Sequence, residues 1–570
     1  MDKESELDKI VFVFTLKNAI KHNGKAMVKS VVSSIVAENP ELKKNAREIA
    51  KLARVYVDKV NSLGLDKQKE ELAGLGVVLE EKKEAVGEEK KQLPPLPNAV
   101  EGGVVTRFAP NPDFVIHIGN ARPAILSYEY ARLYKGKMIL RFEDTDPRTK
   151  TPLIDAYELI REDLKWLGIV PDEEYVQSRR LEIYYGIIKD MIIRGCAYVD
   201  LNVDKSKELL AVGREPPDRN KGIEEQLEGL DRMKENYFGE GQAVIRVKTD
   251  VRHPNPSIRD WIAFRIIDAE KHPHPIVGSK YFLWPTYNFA VSVDDHLLGI
   301  THVLRGKEHE LNTEKQRYVY NCMSWNMPNY IHFGRLKLEG FIMSKSYIRK
   351  VMDERPGEFL GYDDPRFGTI SGLRRRGILP ESIKELIMEV GVKPGDAKIS
   401  WANLAAINRK RLDYMADRLM FVEDPVRFKL IQDNCLTATI PYHPDRRERT
   451  RSIRVCDNDR VYINRQDASK KEFRLVGLGN YEVVEEGIKF INDSLEYARK
   501  KGLQIIQWVP EKDALGIDVL EPNGLEFVKH SGFVEGTIRA YAEGTKIQFI
   551  RFGFIIIDSL NPIRIFYIHK

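Results

Sequence analysis

The chain has 570 residues, of which 42% are hydrophobic and 31% charged, with a formal net charge of +5 and a pI near 8.6. This length should hold roughly three to five domains, and the apolar share is too high for a disordered chain. No apolar run approaches the roughly 20 residues that span a bilayer, and the start MDKESELDKI lacks the basic-then-apolar order of a secretory signal, so we expect a cytoplasmic protein.

The first predicted unit is a small helical domain. Between Lys25 and about Gly64 apolar residues recur at helical spacing, with a break at Asn39-Pro40. From Glu80 to Gly103 the sequence turns charged, then proline-rich, then glycine-rich, which is typical of a linker. We therefore predict a helical domain and its linker over residues 1–95.

The next region alternates strand-like and helix-like segments. GVVTRFAP and KMILRFED are strand-like, whereas residues 119–134 and IDAYELIREDLKWLG are helix-like. Such alternation predicts a parallel, doubly wound sheet over residues 96–193. The pattern loosens from Arg194 to Asp260, which is too long for a connecting loop and predicts an inserted subdomain over residues 194–260.

The α/β pattern resumes over residues 261–345. An apolar strand is predicted in NFAVSVDDHLLGITHVLRG, followed by a helix in EHELNTEKQRYVYNCM. Residues 346–424 form a mainly helical region, and residues 425–570 carry short Val, Ile, Phe and Tyr runs between Gly, Asn and Asp turns. The overall class is thus multidomain α/β with a mostly β C-terminal quarter.

The four cysteines indicate no metal or disulfide chemistry. They lie tens of residues apart, without a C-x-x-C pair or a histidine at ligand spacing: Cys196, Cys322, Cys435 and Cys456. We predict neither structural zinc, nor any other metal site, nor a disulfide framework.

Two short stretches indicate phosphate chemistry. In RFAPNPDFVIHIGNAR, Gly119 lets backbone approach a ligand where a helix begins, and His117 and Asn120 offer donors beside it. In FIMSKSYI, hydroxyls flank the ammonium group of Lys345, an arrangement suited to neutralising charge on a departing phosphate. Each stretch is weak alone, but their order on an α/β framework predicts nucleotide binding.

These stretches resemble the His-Ile-Gly-His signature and the Lys-Met-Ser-Lys-Ser loop of class I aminoacyl-tRNA synthetases. RFAPNP, LRFEDTDP, WPTYNFAVSVDDHLLGITHVLRGKEH and GRLKLEGFIMSKS more closely resemble the archaeal and eukaryotic type of glutamyl-tRNA synthetase, which shares its body plan with glutaminyl-tRNA synthetase. The resemblance implies a Rossmann-like catalytic core and C-terminal β-barrels. It covers nearly everything after residue 100.

The resemblance implies a glutamate pocket and an ATP site. For glutamate it implies Arg107 and Arg305 on the carboxylates, Glu143 on the ammonium, and Tyr287 and Ala109 lining the pocket. The implied ATP site, with Mg²⁺ accompanying the nucleotide, comprises His117, Gly119, Asn120, Leu336, Ser344 and Lys345, of which His117, Asn120 and Lys345 are the expected catalytic residues. The chain departs from the family pattern at Asn120, Phe114 and Ile342, which replace a histidine, a glycine and a lysine.

The resemblance also implies that the partner is tRNA and that the enzyme is a monomer. The insertion would bind the acceptor end of the tRNA, residues 346–424 would contact its inner arm, and the barrels would bind the anticodon. Arginine clusters suit phosphate contact: Arg374, Arg375, Arg376, Arg446, Arg447 and Arg449.

Three interpretations remain open. The leading one is a glutamate–tRNA ligase that charges tRNA(Glu), and in a non-discriminating form also tRNA(Gln). A glutaminyl-tRNA synthetase is disfavoured because a neutral amide would leave Arg305 unpaired, and glutaminyl relatives lack arginine at this position. An inactive RNA-binding scaffold would explain Asn120 and Ile342, although it needs no complete glutamate pocket.

Overall fold

The computed structural model describes residues 3–21, 24–38, 45–75 and 93–570. The chain divides into two compact units, Met1–Lys90 and Lys91–Lys570. The predicted break at Asn39-Pro40 and most of the predicted linker lie outside the described residues. Among the helices of the described ranges, none combines the length and apolar character needed to cross a membrane.

The first unit is helical, as predicted. Its core contains fully buried side chains at helical spacing, such as Val31 and Ile35 on one helix and Ile49, Ala53 and Val60 on the next. The helices are α1 (Lys3–Lys21), α2 (Val28–Glu38), α3 (Ala46–Asn61) and α4 (Leu65–Gly74).

The second unit mixes helices and strands. Its helices are α5 (Ile118–Leu133), α6 (Ile154–Trp166), α7 (Leu181–Ile193), α8 (Val203–Ala211), α9 (Ile223–Lys234), α10 (Tyr287–Leu297), α11 (Glu310–Met323), α12 (Lys345–Glu354), α13 (Ile370–Arg375), α14 (Pro380–Val390), α15 (Trp401–Met415), α16 (Arg465–Ala468) and α17 (Leu495–Lys501). Its strands are β1 (Val105–Phe108), β2 (Lys137–Phe142), β3 (Glu173–Val176), β4 (Ala197–Asp200), β5 (Val244–Val247), β6 (Ile262–Ile266), β7 (Leu283–Pro285), β8 (His302–Gly306), β9 (Asn329–Phe333), β10 (Leu336–Leu338), β11 (Ala397–Ile399), β12 (Asp417–Leu419), β13 (Phe421–Glu423), β14 (Pro425–Ile431), β15 (Leu436–His443), β16 (Arg446–Val455), β17 (Arg460–Asn464), β18 (Glu472–Leu475), β19 (Gly479–Val484), β20 (Gly487–Asn492), β21 (Ile505–Ile506), β22 (Val509–Pro510), β23 (Ala514–Asn523), β24 (Glu526–Glu535), β25 (Lys546–Phe549), β26 (Gly553–Leu560) and β27 (Ile563–His569).

The predicted parallel sheet is confirmed. Strands β1, β2 and β3 run parallel side by side, as do β8 and β9. The Thr301 N–H donates to the Val105 carbonyl at 2.9 Å and the Val105 N–H to the Thr301 hydroxyl at 2.8 Å, which joins the two groups of strands. Because the carboxyl ends of parallel strands meet at one edge, Arg107 on β1 and Arg305 on β8 are brought to the same side.

The strand predicted in NFAVSVDDHLLGITHVLRG is only partly correct. Its first half is the helix α10, and only the second half is the strand β8. In α10, Phe289, Ala290 and Val293 recur at helical spacing and pack into the core. A buried apolar run suits a helix as well as a strand, and here the helix was the better fit.

The loosely patterned segment contributes to an antiparallel sheet of order β4-β5-β6-β7. Strands β4 and β5 lie within residues 194–260, whereas β6 and β7 continue the same sheet beyond them, to Pro285. The core beneath the sheet contains Tyr184, Phe264 and Trp284.

The predicted C-terminal barrels are present as two seven-stranded sheets, ordered β12-β25-β26-β27-β23-β24-β13 and β21-β18-β19-β20-β14-β17-β22. In the first sheet the two end strands flank Met420, so one continuous segment pairs with both edges. The two end strands of the second sheet flank Gln507 and Trp508 in the same way. Each sheet is therefore closed on itself.

The expectation of no disulfide framework was wrong. Cys196 is joined to Cys322 and Cys435 to Cys456, with Cα–Cα distances of 6.1 and 4.0 Å. The first bond connects the loop before β4 to α11. The second joins the residue before β15 to the residue after β16, at the open end of the β15–β16 hairpin. Sequence spacing missed both bonds because folding brings distant segments together.

Candidate active site

A cleft of about 950 Å³ opens at the carboxyl ends of the parallel strands. It is lined by Arg107, Ala109, His117, Gly119, Asn120, Glu143, Tyr287, Arg305, Leu336 and Ser344, which are all of the predicted glutamate and nucleotide residues except Lys345. Its remaining charged lining residues are Arg122, Asp146, Lys150, Arg265, Glu308, Arg335 and Lys337. Cations outnumber carboxylates in this lining, which favours anionic ligands.

His117 caps the helix that enters the cleft. Its Nδ1 accepts hydrogen bonds from the backbone N–H groups of Gly119 and Asn120, at 3.0 and 3.3 Å. Burial lowers the pKa of His117 to about 4, so the ring is neutral at neutral pH. Since Nδ1 is an acceptor, the proton lies on Nε2, which can donate to a ligand oxygen.

Gly119 leaves room for that ring. A Cβ at this position would lie 2.7 Å from Cε1 and 2.9 Å from Nδ1 of His117, and 3.3 Å from the Leu336 carbonyl oxygen. The His117 ring and the Leu336 carbonyl therefore leave no room for any side chain at position 119.

Gly119→Ala is expected to raise the KM for ATP about tenfold or more. The added Cβ displaces the His117 ring, which then loses its hydrogen bonds to the start of α5 and no longer directs its Nε2–H at the nucleotide. ATP–pyrophosphate exchange at varied ATP measures this. Gly186→Ala, on α7 with no heavy atom within 4 Å of the added Cβ, is the matched control. An unchanged KM for ATP would remove Gly119 from the nucleotide site.

The glutamate-side residues belong to a buried charge network. Arg141 donates to Asp295 at 2.7 Å and to Glu143 at 2.9 Å, and the Arg107 Nε lies 3.5 Å from the same Asp295 carboxylate. Burial raises the pKa of Glu143, although Arg141 and Arg107 act to lower it. Arg107 is 4% exposed, and its Nε has no hydrogen-bond partner within the described chain. Arg107 also lines the cleft, so its guanidinium can donate hydrogen bonds to a carboxylate bound there.

Arg305 is held at the cleft by neutral hydrogen-bond partners. Its Nη1 donates to the Tyr287 hydroxyl at 3.3 Å, and its Nη2 donates to Thr313 Oγ1 at 2.6 Å and Gln316 Oε1 at 3.1 Å. Arg305 is only 5% exposed, and in the described part of the chain no carboxylate lies within 4 Å of it. A buried cation without a counter-ion is costly and suits a site whose ligand supplies the anion.

Lys345 is the predicted residue that the structure holds away from the cleft. It begins α12, and its ammonium group is paired with the Asp113 carboxylate. The Arg349 guanidinium also holds this loop by donating to the Asp113 carbonyl. Lys345 would have to leave Asp113 to reach a phosphate bound beside His117.

The cluster Arg374–Arg376 does not form the free phosphate-binding face that was predicted. Arg375 is paired with Asp558 and Asp363, at 2.7 and 2.8 Å. Arg376 is 5% exposed and lies 4.2 Å from the centroid of the Trp401 ring, and burial lowers its pKa to about 10. Arg374 is half-buried, on the same short helix α13. Arg375 and Arg376 are thus engaged within the protein instead.

The second cluster is exposed. Arg446, Arg447 and Arg449 lie near the turn of the β15–β16 hairpin, and Arg446 donates to the Met415 carbonyl at the end of α15. Arg449 is paired with Asp417 at 2.6 Å but keeps 59% of its side chain exposed. The structure thus leaves this cluster available to a polyanion.

Sequence analysis missed several residues that shape the site. Asp295 joins Arg107 to Arg141, while Thr313 and Gln316 hold Arg305. Adjacent acids in an otherwise apolar run, as in VSVDDHL, were an available signal for a buried charge. Nothing in the local pattern marked Thr313 or Gln316.

Comparisons with known proteins agree over nearly the whole chain. A family model described as tRNA synthetases class I (E and Q), catalytic domain, matches residues 103–414, and two described as anti-codon binding domain match residues 416–496 and 505–558. Proteins named glutamate–tRNA ligase from Aeropyrum pernix, Hyperthermus butylicus and Staphylothermus marinus are 56%, 49% and 48% identical, over 99%, 95% and 96% of this chain and 99%, 97% and 98% of theirs. The chain belongs to the class I tRNA synthetases of the E and Q type.

Proposed function

We propose that this protein is a glutamate–tRNA ligase that activates L-glutamate with ATP and transfers it to the 3′ end of tRNA(Glu). The observation that carries the proposal is Arg305, a buried guanidinium at the cleft whose hydrogen-bond partners are all neutral. A side-chain carboxylate would pair with it, whereas the amide of glutamine would leave its charge uncompensated. The names of the three relatives support the same substrate.

In the proposed binding mode glutamate bridges the cleft. Arg107 binds one carboxylate, Arg305 the other, Glu143 accepts the ammonium group, and Tyr287 and the Ala109 backbone line the space between them. A guanidinium matches a carboxylate with two parallel hydrogen bonds, which fixes its orientation. This assignment uses every charged group that was predicted for the pocket.

ATP occupies the part of the cleft next to the start of α5. Its phosphates meet the Nε2–H of His117, the backbone at Gly119 and the Asn120 amide, and its adenine lies along the Leu336 backbone. Ser344 and Lys345 approach the same phosphates from the loop before α12. We propose that Mg²⁺ accompanies the nucleotide as MgATP.

The reaction requires no protein nucleophile. A carboxylate oxygen of glutamate forms a bond to the α-phosphorus of ATP while the bond from that phosphorus to the pyrophosphate breaks. A hydroxyl of the terminal tRNA ribose then attacks the activated carbonyl, and AMP leaves. The chain contributes positioning and charge stabilisation at each step.

The tRNA would contact the exposed arginines Arg446, Arg447 and Arg449 and the barrels, while the antiparallel sheet would meet the acceptor end. Arg375 and Arg376 are omitted because their guanidinium groups are engaged within the protein. Charging of tRNA(Gln), a monomeric state and a cytoplasmic location remain predictions from the sequence.

The test is ATP–pyrophosphate exchange in the presence of tRNA, with glutamate or glutamine as the amino acid. The proposal requires exchange with glutamate and little with glutamine; the opposite preference, or none, would contradict it. Charging of purified tRNAs that differ only in the third anticodon position then determines whether tRNA(Gln) is also a substrate.

A further inference from the structure

The partners of Arg305 divide into a cleft side and a rear side. Tyr287 lines the cleft with Arg305, whereas His332, beside its Nε, and Thr313 and Gln316, which hold its Nη2, do not. Nη2 therefore spends both of its hydrogens on the rear side. Nη1 donates one hydrogen to Tyr287 and retains a second for a ligand.

Gln316 is fixed so that its oxygen faces the guanidinium. It is fully buried, its Nε2 lies 3.4 Å from Asn288 Oδ1, and its Oε1 also accepts from the Tyr330 hydroxyl at 3.4 Å. Asn288 accepts from the Nε2 end, so the amide presents its acceptor to Arg305. The side chain binds the cation strongly enough to orient it while adding no negative charge.

The two histidines beside Arg305 are neutral as well, and the Asp295 carboxylate acts on Arg305 only from beyond ion-pair distance. Burial and the nearby Arg305 lower the pKa of His309, to about 4, and of His332. The Tyr330 ring lies 4.8 Å from the guanidinium carbon. By contrast Arg107 and Arg141 share the Asp295 carboxylate. In the described part of the chain, Arg305 thus differs from Arg107 and Arg141 in having no carboxylate within 4 Å.

We propose that Gln316 is a positioning residue that sets the preference of the cleft for an amino acid with an acidic side chain. Its amide aligns Arg305 and leaves the full positive charge for the substrate side-chain carboxylate. A carboxylate at position 316 would neutralise Arg305 from within the protein. The cleft would then favour the uncharged side chain of glutamine. The inference rests on the proposed function.

The test is Gln316→Glu, which changes one group and keeps the size of the side chain. The ratio of kcat/KM for glutamate to that for glutamine is expected to fall about 100-fold, mainly through the KM for glutamate, as expected where a buried charge pair decides selection. The KM for ATP should stay within about twofold, because Gln316 lies outside the nucleotide part of the cleft. Exchange assays with each amino acid give both quantities.

Two controls separate charge from structure. Gln316→Met removes the hydrogen bonds without adding charge, and should lower activity with both amino acids by no more than about tenfold while keeping their ratio. Asn321→Asp adds the same charge on the exposed side of α11, and it should change neither the activity nor the ratio. If Gln316→Glu does not fold, Thr313→Asp brings a carboxylate to the same Nη2 and should produce the same loss of preference.

The inference is overturned if a folded carboxylate variant keeps the wild-type ratio, or if Gln316→Met loses the preference as fully as Gln316→Glu does. Failure of the proposed function would look different, since the wild-type protein itself would then show no preference for glutamate. The wild-type measurement is therefore made first.

Discussion

Replacing Arg305 with alanine is expected to lower kcat/KM for glutamate by about 10³-fold or more, corresponding to about 4 kcal/mol of lost binding to the substrate carboxylate. The loss is large because no other cation takes its place: Arg107 lies beside Asp295 and, in the proposed binding mode, binds the other carboxylate of the substrate. The affinity for tRNA should stay nearly unchanged, because Arg305 is buried in the cleft. Exchange kinetics and tRNA binding by filter retention or fluorescence measure the two effects.

The control for the lost charge is Arg148→Ala, which removes an arginine whose side chain is 45% exposed and paired with Glu240. It should leave glutamate use within about twofold, as expected for an exposed ion pair. Equal losses of tRNA binding and of glutamate use in Arg305→Ala would assign Arg305 a role outside the amino-acid pocket. Thermal unfolding of each variant shows whether the variant is still folded.

Replacing Lys345 with alanine is expected to slow adenylate formation about 10²- to 10³-fold while the KM for glutamate changes little. An ammonium group acts on charge that develops as pyrophosphate leaves, so its removal affects the chemical step more than binding. Single-turnover activation separates the two. An unaltered rate would exclude this loop from the mechanism.

The ion pair between Lys345 and Asp113 requires its own control. Asp113→Asn removes the partner and keeps the lysine, so activation should continue at a rate within a few-fold of the wild type. Lys350→Ala on the same helix removes an exposed ammonium group, 64% exposed and 3.7 Å from Glu354, and should have no effect. A loss in Asp113→Asn as large as that in Lys345→Ala would attribute the effect to the ion pair.

The placement of the motif residues could be predicted because each belongs to a strand end or a helix start. Arg107 lies next to the last residue of β1, His117 precedes α5 and Arg305 lies next to the last residue of β8, and parallel strands bring such positions to one edge. Local periodicity was sufficient for those elements. It failed for α10, since the buried run from Phe289 to Asp295 lacks the exposed polar face that distinguishes an amphipathic helix from a strand.

Contacts between distant segments could not be read from local patterns. The Asp295 pairing, the Gln316 contact and both disulfides join residues that only the tertiary fold brings together. The predicted phosphate contacts of Arg375 and Arg376 failed for a related reason: charge alone does not distinguish an exposed group from one that is already engaged within the protein. Arg375 is paired with Asp558 on β26, which lies far along the chain.

The closure of the two C-terminal barrels bears on how the protein behaves when concentrated. In each sheet the two end strands belong to one continuous segment, and both are hydrogen-bonded to a neighbouring strand. The strand of another molecule therefore meets a shorter row of unpaired backbone N–H and carbonyl groups than an open sheet of the same size would present.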